Sequence, residues 1–206
     1  MFRIVTGVDG APSMLEVVDR PGLLASDVAV RPLVPGDADT VRLVFDGLSP
    51  ESRRTRFLAP MPTLSPSMLE RLVDVDHDRH GCWVALVEGW PVGIGRYVRL
   101  TGDPTAAEVA LEVVDEYQGH GLGRMLLEVV ATAAADVGVR SLLWVMDPGN
   151  SAIRSLAIPL GGRFTVEYGT LEGTTPLPEV PATDACRIGR VARAARKRAA
   201  DRRVAA

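Results

Sequence analysis

A glycine-rich turn near the middle of the chain has the residue types and the spacing needed to bind a phosphate group. It reads Gln118-Gly119-His120-Gly121-Leu122-Gly123. Residues 108–114 before it alternate as a β-strand does, and residues 122–137 after it carry apolar side chains at helical spacing. The first N–H groups of a helix lack partners within the helix and carry partial positive charge, and glycines let a ligand approach them closely. The sequence therefore predicts a pyrophosphate site at this helix N-terminus.

Two other nucleotide-binding folds use the same device and fit this sequence poorly. A dinucleotide-binding Rossmann unit has the pattern G-x-G-x-x-G, whereas this turn reads G-x-G-x-G past mid-chain, without repeated βαβ units around it. A P-loop needs Gly-Lys-Ser/Thr, and the one lysine of the chain is Lys197. The pattern argues against both folds.

The turn resembles the Q/R-x-x-G-x-G/A signature of the GNAT N-acetyltransferases, which bind the pyrophosphate of acetyl-CoA. Its context fits, because a second apolar strand is predicted near Leu142 and a helix begins at Asn150. The resemblance covers roughly Asp27 to Gly173. It implies an α/β (α+β) GNAT fold, a mixed twisted sheet with helices on both sides. It also implies acetyl-CoA as the acyl donor and an amine as the acceptor.

The segment from Leu48 to Phe57, LSPESRRTRF, resembles the opening of bacterial GNAT domains that acetylate protein lysines. A lysine side chain is therefore the favoured acceptor. A small amine or an antibiotic is the alternative within the enzyme class. A non-catalytic acyl-CoA sensor or interaction module is the alternative outside it.

Transfer from a thioester to an amine needs a group that removes a proton, because an unperturbed lysine has a pKa near 10.4. On the resemblance, Glu108 matches the strand glutamate that acts as general base in lysine acetyltransferases. Glu112 shares its strand face and is the reserve candidate. The resemblance also implies that the backbone N–H of Val114 or of its neighbour Val113 stabilises the oxyanion, where the central strand splays from the next one.

The remaining candidate site residues have two readings each. Asn150 matches the family residue that bonds the pantetheine arm, and it would also serve as a helix cap. His120 stands at a variable position of the signature, where a phosphate contact or solvent exposure is expected. Arg124 could meet a CoA phosphate or simply occupy the first helical turn.

One position departs from the family pattern. The family often has a tyrosine seven residues after the asparagine, where it protonates the leaving thiolate, and this chain has Ala157 there. Protonation of the thiolate by water, or its departure without a protein acid, is therefore one hypothesis, and weak or absent activity is another.

A metal site is not expected. The segment from Asp74 to His80 contains ligand types that suit a divalent ion. Its spacing matches no closed motif, and Arg79 interrupts it. We interpret the segment as a solvated loop before a strand.

Composition fits a small enzyme with a sizeable core, because 47% of the 206 residues are hydrophobic. The sequence contains no window of about 18 uninterrupted apolar residues, so a membrane span is not expected. The start, MFRIVTGVDG, lacks a signal-peptide core. Two cysteines suit reduced thiols in the cytoplasm, which is the expected location.

The chain divides into three predicted segments: an extension over 1–26, a GNAT domain over 27–173, and a Pro-rich linker with a basic tail over 174–206.

Charge is distributed unevenly along the chain. From Arg187 onward, eight basic residues and one acid give a charge of +7. Because the total charge is −3, Met1–Cys186 carries −10. The acidic body argues against a nucleic-acid surface and suits a cationic amine. The tail is either a basic helix or a solvated segment, and we favour the solvated segment. Contact of the tail with a partner or a polyanion stays open. Formation of a homodimer by the protein stays open as well.

Overall fold

The computed structural model describes residues 1–6, 12–17, 28–177 and 183–205. The strands within these residues are β1 Phe2–Thr6, β2 Pro12–Val17, β3 Val28–Pro32, β4 His80–Val87, β5 Trp90–Arg99, β6 Ala106–Val113, β7 Ser141–Met146, β8 Arg163–Glu167 and β9 Thr170–Pro176. The α-helices are α1 Ala38–Asp46, α2 Pro50–Phe57, α3 Pro66–Val73, α4 Leu122–Asp136, α5 Ser151–Ala157 and α6 Thr183–Ala205. Two 3-10 turns, Asp115–Tyr117 and Ile158–Leu160, follow β6 and α5.

All these strands form one mixed sheet in the order β1-β2-β3-β4-β5-β6-β7-β9-β8. Neighbouring strands are antiparallel except β6 and β7, which are parallel and joined through α4. A parallel pair needs such a crossover connection. The predicted strand, glycine turn and helix are thus confirmed, and so is the mixed sheet with helices on both sides.

Strand β4 shows how the sheet separates two hydrophobic cores. Its alternate residues Trp83 and Ala85 pack with α4 and α6 on one face. Cys82 and Val84 pack with α1 and α3 on the other. Successive side chains of a strand point to opposite faces, so a continuous apolar run fills both cores. Burial raises the pKa of the Cys82 thiol to about 11.

Two helices begin at a Ser-Pro pair. Ser49 accepts a hydrogen bond from the N–H of Ser52, 3.1 Å away, at the start of α2. Ser65 accepts one from the N–H of Met68 at 3.2 Å at the start of α3. Each serine satisfies an N–H that the helix itself leaves free. Both helices lie on the sheet face that carries Glu112, which Arg56 of α2 contacts.

The C-terminal segment corrects two predictions. The favoured solvated tail is wrong, because α6 packs into the core of the α4 face through Ile188, Val191, Ala192, Ala195 and Ala199. Its arginines also bind the body: Arg193 and Arg196 pair with Asp136, and Arg203 pairs with Asp74 and Asp76. The linker was predicted to begin at residue 174, whereas β9 continues to Pro176.

The N-terminal extension forms β1 and β2 at the edge of the sheet, and Phe2 and Leu15 enter the same core as α4. Residues 18–27 lie outside the described residues, as do linker residues 178–182. The division into three segments stays a prediction. Within the described segments, no helix combines the length and the apolar character needed to cross a bilayer.

Candidate active site

A gap between two parallel strands creates a cleft at the centre of the sheet. Strands β6 and β7 pair only from Ala106 with Ser141 to Glu108 with Leu143. Both strands continue beyond this point, to Val113 and Met146, without pairing. The predicted splay of the central strand is therefore present. On one face of β7, Val145 and its alternate neighbours Ser141 and Leu143 are only half-buried.

The cleft at this gap has a volume of about 250 Å³. One wall is formed by residues 55–58, at the end of α2 and just after it. The floor is formed by residues 108–111 of β6. The other wall is formed by residues 144–146 of β7 together with Asn150 and Ile153. The walls thus come from three distant parts of the chain.

The backbone of β6 presents hydrogen-bonding groups to the gap. The N–H of Val114 donates to the carbonyl of Val92 in β5, 2.9 Å away. Because consecutive residues of a strand direct these groups to opposite sides, those of Val113 and Leu111 point toward β7. The expectation for Val114 itself is therefore wrong, since its N–H is already engaged. Its neighbour Val113 is the oxyanion-donor candidate that the geometry supports.

The glycine turn adopts the backbone that its sequence requires. Gly119 and Gly121 have φ values of +76° and +80°, which L-residues with a Cβ rarely adopt. Gly121 is the N-cap of α4, and no side chain caps that end of the helix. The first N–H groups of α4 are thus left for a ligand. His120 and Arg124 are exposed beside them.

Gln118 holds the turn against the central strand and α2. Its amide nitrogen donates to the carbonyl of Val113 at 2.9 Å and lies 3.4 Å from both Ser52 Oγ and Asp115 Oδ1. Asp115 in turn accepts from the N–H of Ser49 and the hydroxyl of Ser52, each at 3.1 Å. Although burial opposes it, these bonds lower the pKa of Asp115. Sequence reasoning missed Ser52 and Asp115, because neither belongs to the signature.

The two candidate carboxylates have opposite surroundings. Glu108 is exposed and lines the cleft, and it forms no ion pair with the residues that the structure describes. Glu112 has a side chain only 8% exposed, and it pairs with Arg56 Nε and, at 3.7 Å, with Arg96 Nη2. Of the two, only Glu108 is free to accept a proton from a ligand in the cleft.

A family model described as acetyltransferase (GNAT) family matches residues 47–161, more than half of the chain. The chain belongs to the GNAT acetyltransferase family. It is 35% identical over 138 residues to an acetyltransferase of Pseudomonas aeruginosa, covering 65% of this chain and 74% of that protein. It is also 35% identical over 142 residues to acetyltransferase Pat of Mycolicibacterium smegmatis, covering 67% of this chain and 42% of that relative. The GNAT domain of S. lividans PAT superposes with a TM-score of 0.73 at 28% identity, covering 80% of this chain and 97% of that domain. These likenesses make the chain an N-acetyltransferase.

Two side chains position the wall opposite β6 in this GNAT cleft. Asn150 Oδ1 accepts from the N–H of Ile153 at 3.0 Å, which confirms its role as a helix cap. Its amide nitrogen keeps two donors for a ligand. Asp147, at the end of β7, pairs with Arg54 of α2 at 2.9 Å and so ties the two walls together. Hydrogen bonding to Arg54 lowers the pKa of Asp147. Nothing in the sequence indicates this pair, whose members lie 93 positions apart.

The tyrosine that many GNAT enzymes use has no substitute in this cleft. Ala157 is fully buried at the end of α5. Tyr97 is buried and donates its hydroxyl to the carbonyl of His77. Tyr168 is fully exposed in the β8–β9 turn, and Tyr117 packs against the core. No tyrosine of the described chain is among the cleft residues.

The segment from Asp74 to Arg79 is a loop before β4, as predicted, but it is solvated only in part, because Val75 and His77 are buried. Asp76 Oδ1 accepts from the N–H groups of Asp78, Arg79 and His80, at 2.7 to 2.9 Å. His77 is buried, with Nε2 2.8 Å from the carbonyl of Leu33. Among the described residues, no group of three His, Cys, Asp or Glu side chains could hold a metal ion.

Proposed function

We propose that this GNAT enzyme transfers the acetyl group of acetyl-CoA to the amine of a protein lysine, with Glu108 as general base. The observation that carries the proposal is the placement of an exposed carboxylate in a gap between parallel strands. The glycine turn follows from the same strand and leads to the free N-terminus of α4.

The donor half of the site suits acetyl-CoA. The N–H groups at the start of α4, with His120 and Arg124 beside them, fit an anionic pyrophosphate. The pantetheine arm would occupy the gap, where Leu111 supplies a backbone donor in the manner of a missing strand. The amide nitrogen of Asn150 faces the same arm across the cleft.

The proposed chemistry is one addition followed by one elimination. Glu108 removes a proton from the acceptor ammonium, directly or through water. The neutral nitrogen attacks the thioester carbon, and the N–H of Val113 stabilises the oxyanion. Attack leaves the nitrogen cationic, and it loses its second proton to solvent. The C–S bond then breaks, and its electron pair leaves on the sulfur. Glu112 is a poor candidate for this step, because its carboxylate is nearly buried and is already paired with two guanidinium groups.

The acceptor half of the site supports a lysine side chain. Phe57 and the 40% exposed Leu58 supply an apolar wall beside Glu108, which fits an aliphatic stem with an ammonium at its end. The resemblance of Leu48–Phe57 to bacterial lysine acetyltransferases favours the same class. A cytoplasmic location, a homodimer and a polyanion contact of α6 stay predictions.

The test combines binding and turnover. Acetyl-CoA should bind the wild type with a Kd near micromolar, about −8 kcal/mol by calorimetry. Gly121→Trp should lose this binding, because an indole would block the N-terminus of α4 and the backbone has positive φ there. Glu108→Gln should keep acetyl-CoA binding and lose about 10²- to 10⁴-fold in kcat with a lysine peptide.

Glu70→Gln, on the exposed surface of α3, is the matched control and should keep the wild-type kcat. If the enzyme acetylates small amines but not lysine peptides, the acceptor is a small amine and the proposed protein lysine is wrong. Binding of acetyl-CoA without turnover of any amine would favour an acyl-CoA sensor. No binding by the wild type would overturn both functions.

A further inference from the structure

The departing thiolate needs a partner that the usual tyrosine does not supply here. Two other polar side chains of the cleft are already engaged. Trp144 Nε1 donates to Thr175 Oγ1 at 3.0 Å. The Thr55 hydroxyl donates to the carbonyl of Glu51 at 2.8 Å. Among the described residues that line the cleft, Arg56 is the one cation.

One edge of the Arg56 guanidinium is bonded and turned away from solvent, and its other N–H groups are available to a ligand. It stands one residue before the end of α2, with a side chain only 17% exposed. Its Nε donates to Glu112. A guanidinium has five N–H donors, so this bond fixes the group and leaves both Nη atoms for a ligand. The guanidinium carbon also lies 4.9 Å from the centre of the Phe57 ring.

The surroundings of Arg56 leave an excess of positive charge. Arg96, 4% exposed, lies with Nη2 3.7 Å from the same carboxylate of Glu112. One carboxylate between two guanidinium groups gives a net charge of +1. Arg96 Nε and Nη2 have no hydrogen-bond partner among the described residues. Charges in such a buried place are weakly screened, so an anion in the cleft would be attracted.

We propose that Arg56 is a catalytic residue that contacts the sulfur of the leaving group and stabilises its negative charge. This inference rests on the proposed function. As the C–S bond breaks, both bonding electrons pass to the sulfur, and the anion forms beside the guanidinium. The first amine proton stays on Glu108, the second passes to solvent, and Arg56 gives up no proton.

Charge stabilisation without proton transfer is sufficient for this leaving group. A free thiol has a pKa of about 8.5, far below that of an alcohol, so its anion is accessible near neutral pH. A guanidinium remains protonated in proteins and acts as a fixed cation. The thiolate can therefore leave as an ion pair and take a proton from solvent after release, which accounts for an active site without a phenol.

The experiment compares Arg56→Gln, Arg56→Lys and Arg56→Ala under steady-state conditions. Arg56→Gln should lower kcat about 10²-fold, as the loss of one charge-stabilising donor does elsewhere. The KM for acetyl-CoA should change by less than about threefold, because the interaction is made in the transition state. Arg56→Lys should fall between the wild type and Arg56→Gln. Arg71→Gln, an exposed arginine of α3, should match the wild type.

Chemical rescue separates catalysis from a structural role. Added guanidinium should restore part of the kcat of folded Arg56→Ala and have no such effect on Glu108→Gln. A folded Arg56→Ala that is slow and does not respond to guanidinium would overturn the proposal, as would a nearly wild-type kcat in Arg56→Gln. If Arg56→Ala does not fold, Arg56→Lys and Arg56→Met provide a pair of similar length, and equal kcat values would contradict the proposal. An inactive wild type would instead overturn the proposed function itself.

Discussion

Glu108 and Glu112 lie four residues apart on the same face of the same strand, yet the fold gives them opposite environments. Glu108 is the last residue of β6 that pairs with β7, and its side chain is exposed in the cleft. Glu112 lies beyond the point of separation, under α2, between Arg56 and Arg96. The difference arises because Glu108 faces the open cleft, whereas Glu112 lies beneath α2 and beside two arginines.

This contrast assigns separate tasks to two identical side chains. Glu108 has no ion-pair partner among the described residues and is open to a ligand, whereas Glu112 is paired with two guanidinium groups. In the proposed mechanism, Glu108 removes the proton and Glu112 anchors Arg56, the cation that lines the cleft. One strand would then support both proton removal and stabilisation of the leaving group.

The largest expected effect separates the two residues by stability. Glu112→Gln removes the charge that compensates Arg56 and Arg96, and the loss of one partner from a buried ion pair costs about 3–5 kcal/mol. Glu108→Gln should change the free energy of unfolding by no more than about 0.5 kcal/mol, as exposed substitutions usually do. Denaturant unfolding of both variants checks this, and equal losses would contradict the contrast.

The second expected effect is a pH dependence of stability, and it concerns only the residues around Glu112. Burial, and then the charge of Arg96, lower the pKa of His80 from 6.5 to about 4. Burial also lowers the pKa of His77. Since the unfolded protein binds more protons in this window, this contribution to stability is complete above pH 6.5 and is lost as pH falls toward 4.

The loss at His80 should amount to about 1–2 kcal/mol, after allowing for solvent screening at a half-buried ring. Thermal unfolding from pH 7 to pH 4 measures it. His80→Asn should give a flatter profile than the wild type, and Glu108→Gln should leave the profile unchanged. A profile of equal steepness in His80→Asn would assign the pH dependence to other groups.

Local signals in the sequence were enough for the parts of the site that depend on neighbouring residues. The alternation of β6, the Ser-Pro caps and the glycines of the turn each fix a backbone conformation over a few positions. The family signature then located Glu108 and Asn150. Their positions in the cleft follow from elements that the sequence made visible.

The remainder depended on contacts between distant segments. Arg56 and Glu112 lie 56 positions apart, and no spacing rule links them. Residues 141–146 are all apolar or small, so nothing in them shows that one face of β7 borders a cleft. The packing of α6 had a weak signal, since Ile188, Val191 and Ala195 recur at helical spacing. The arginines between the alanines make these apolar positions hard to recognise, so the sequence favours a solvated segment.

The smallest expected effect tests whether α2 must be well ordered to hold Arg56 against Glu112. Ser49→Ala removes the cap that accepts from the N–H of Ser52, and Ser65→Ala removes the matching cap of α3. Each should cost about 1 kcal/mol of stability. Only Ser49→Ala should also lower kcat, by up to about fivefold, which is the factor that 1 kcal/mol represents.

The matched caps make this comparison informative even though both effects are small. Helix α2 supplies a wall of the cleft, whereas no residue of α3 lines it. If both variants lose equal stability and equal kcat, activity follows general stability and the ordering of α2 has no special role. If Ser49→Ala alone is slower, the position of Arg56 depends on the first turn of its own helix. The free carboxylate and the paired one would then depend on different parts of the chain, Glu108 on the strand alone and Glu112 on the helix above it.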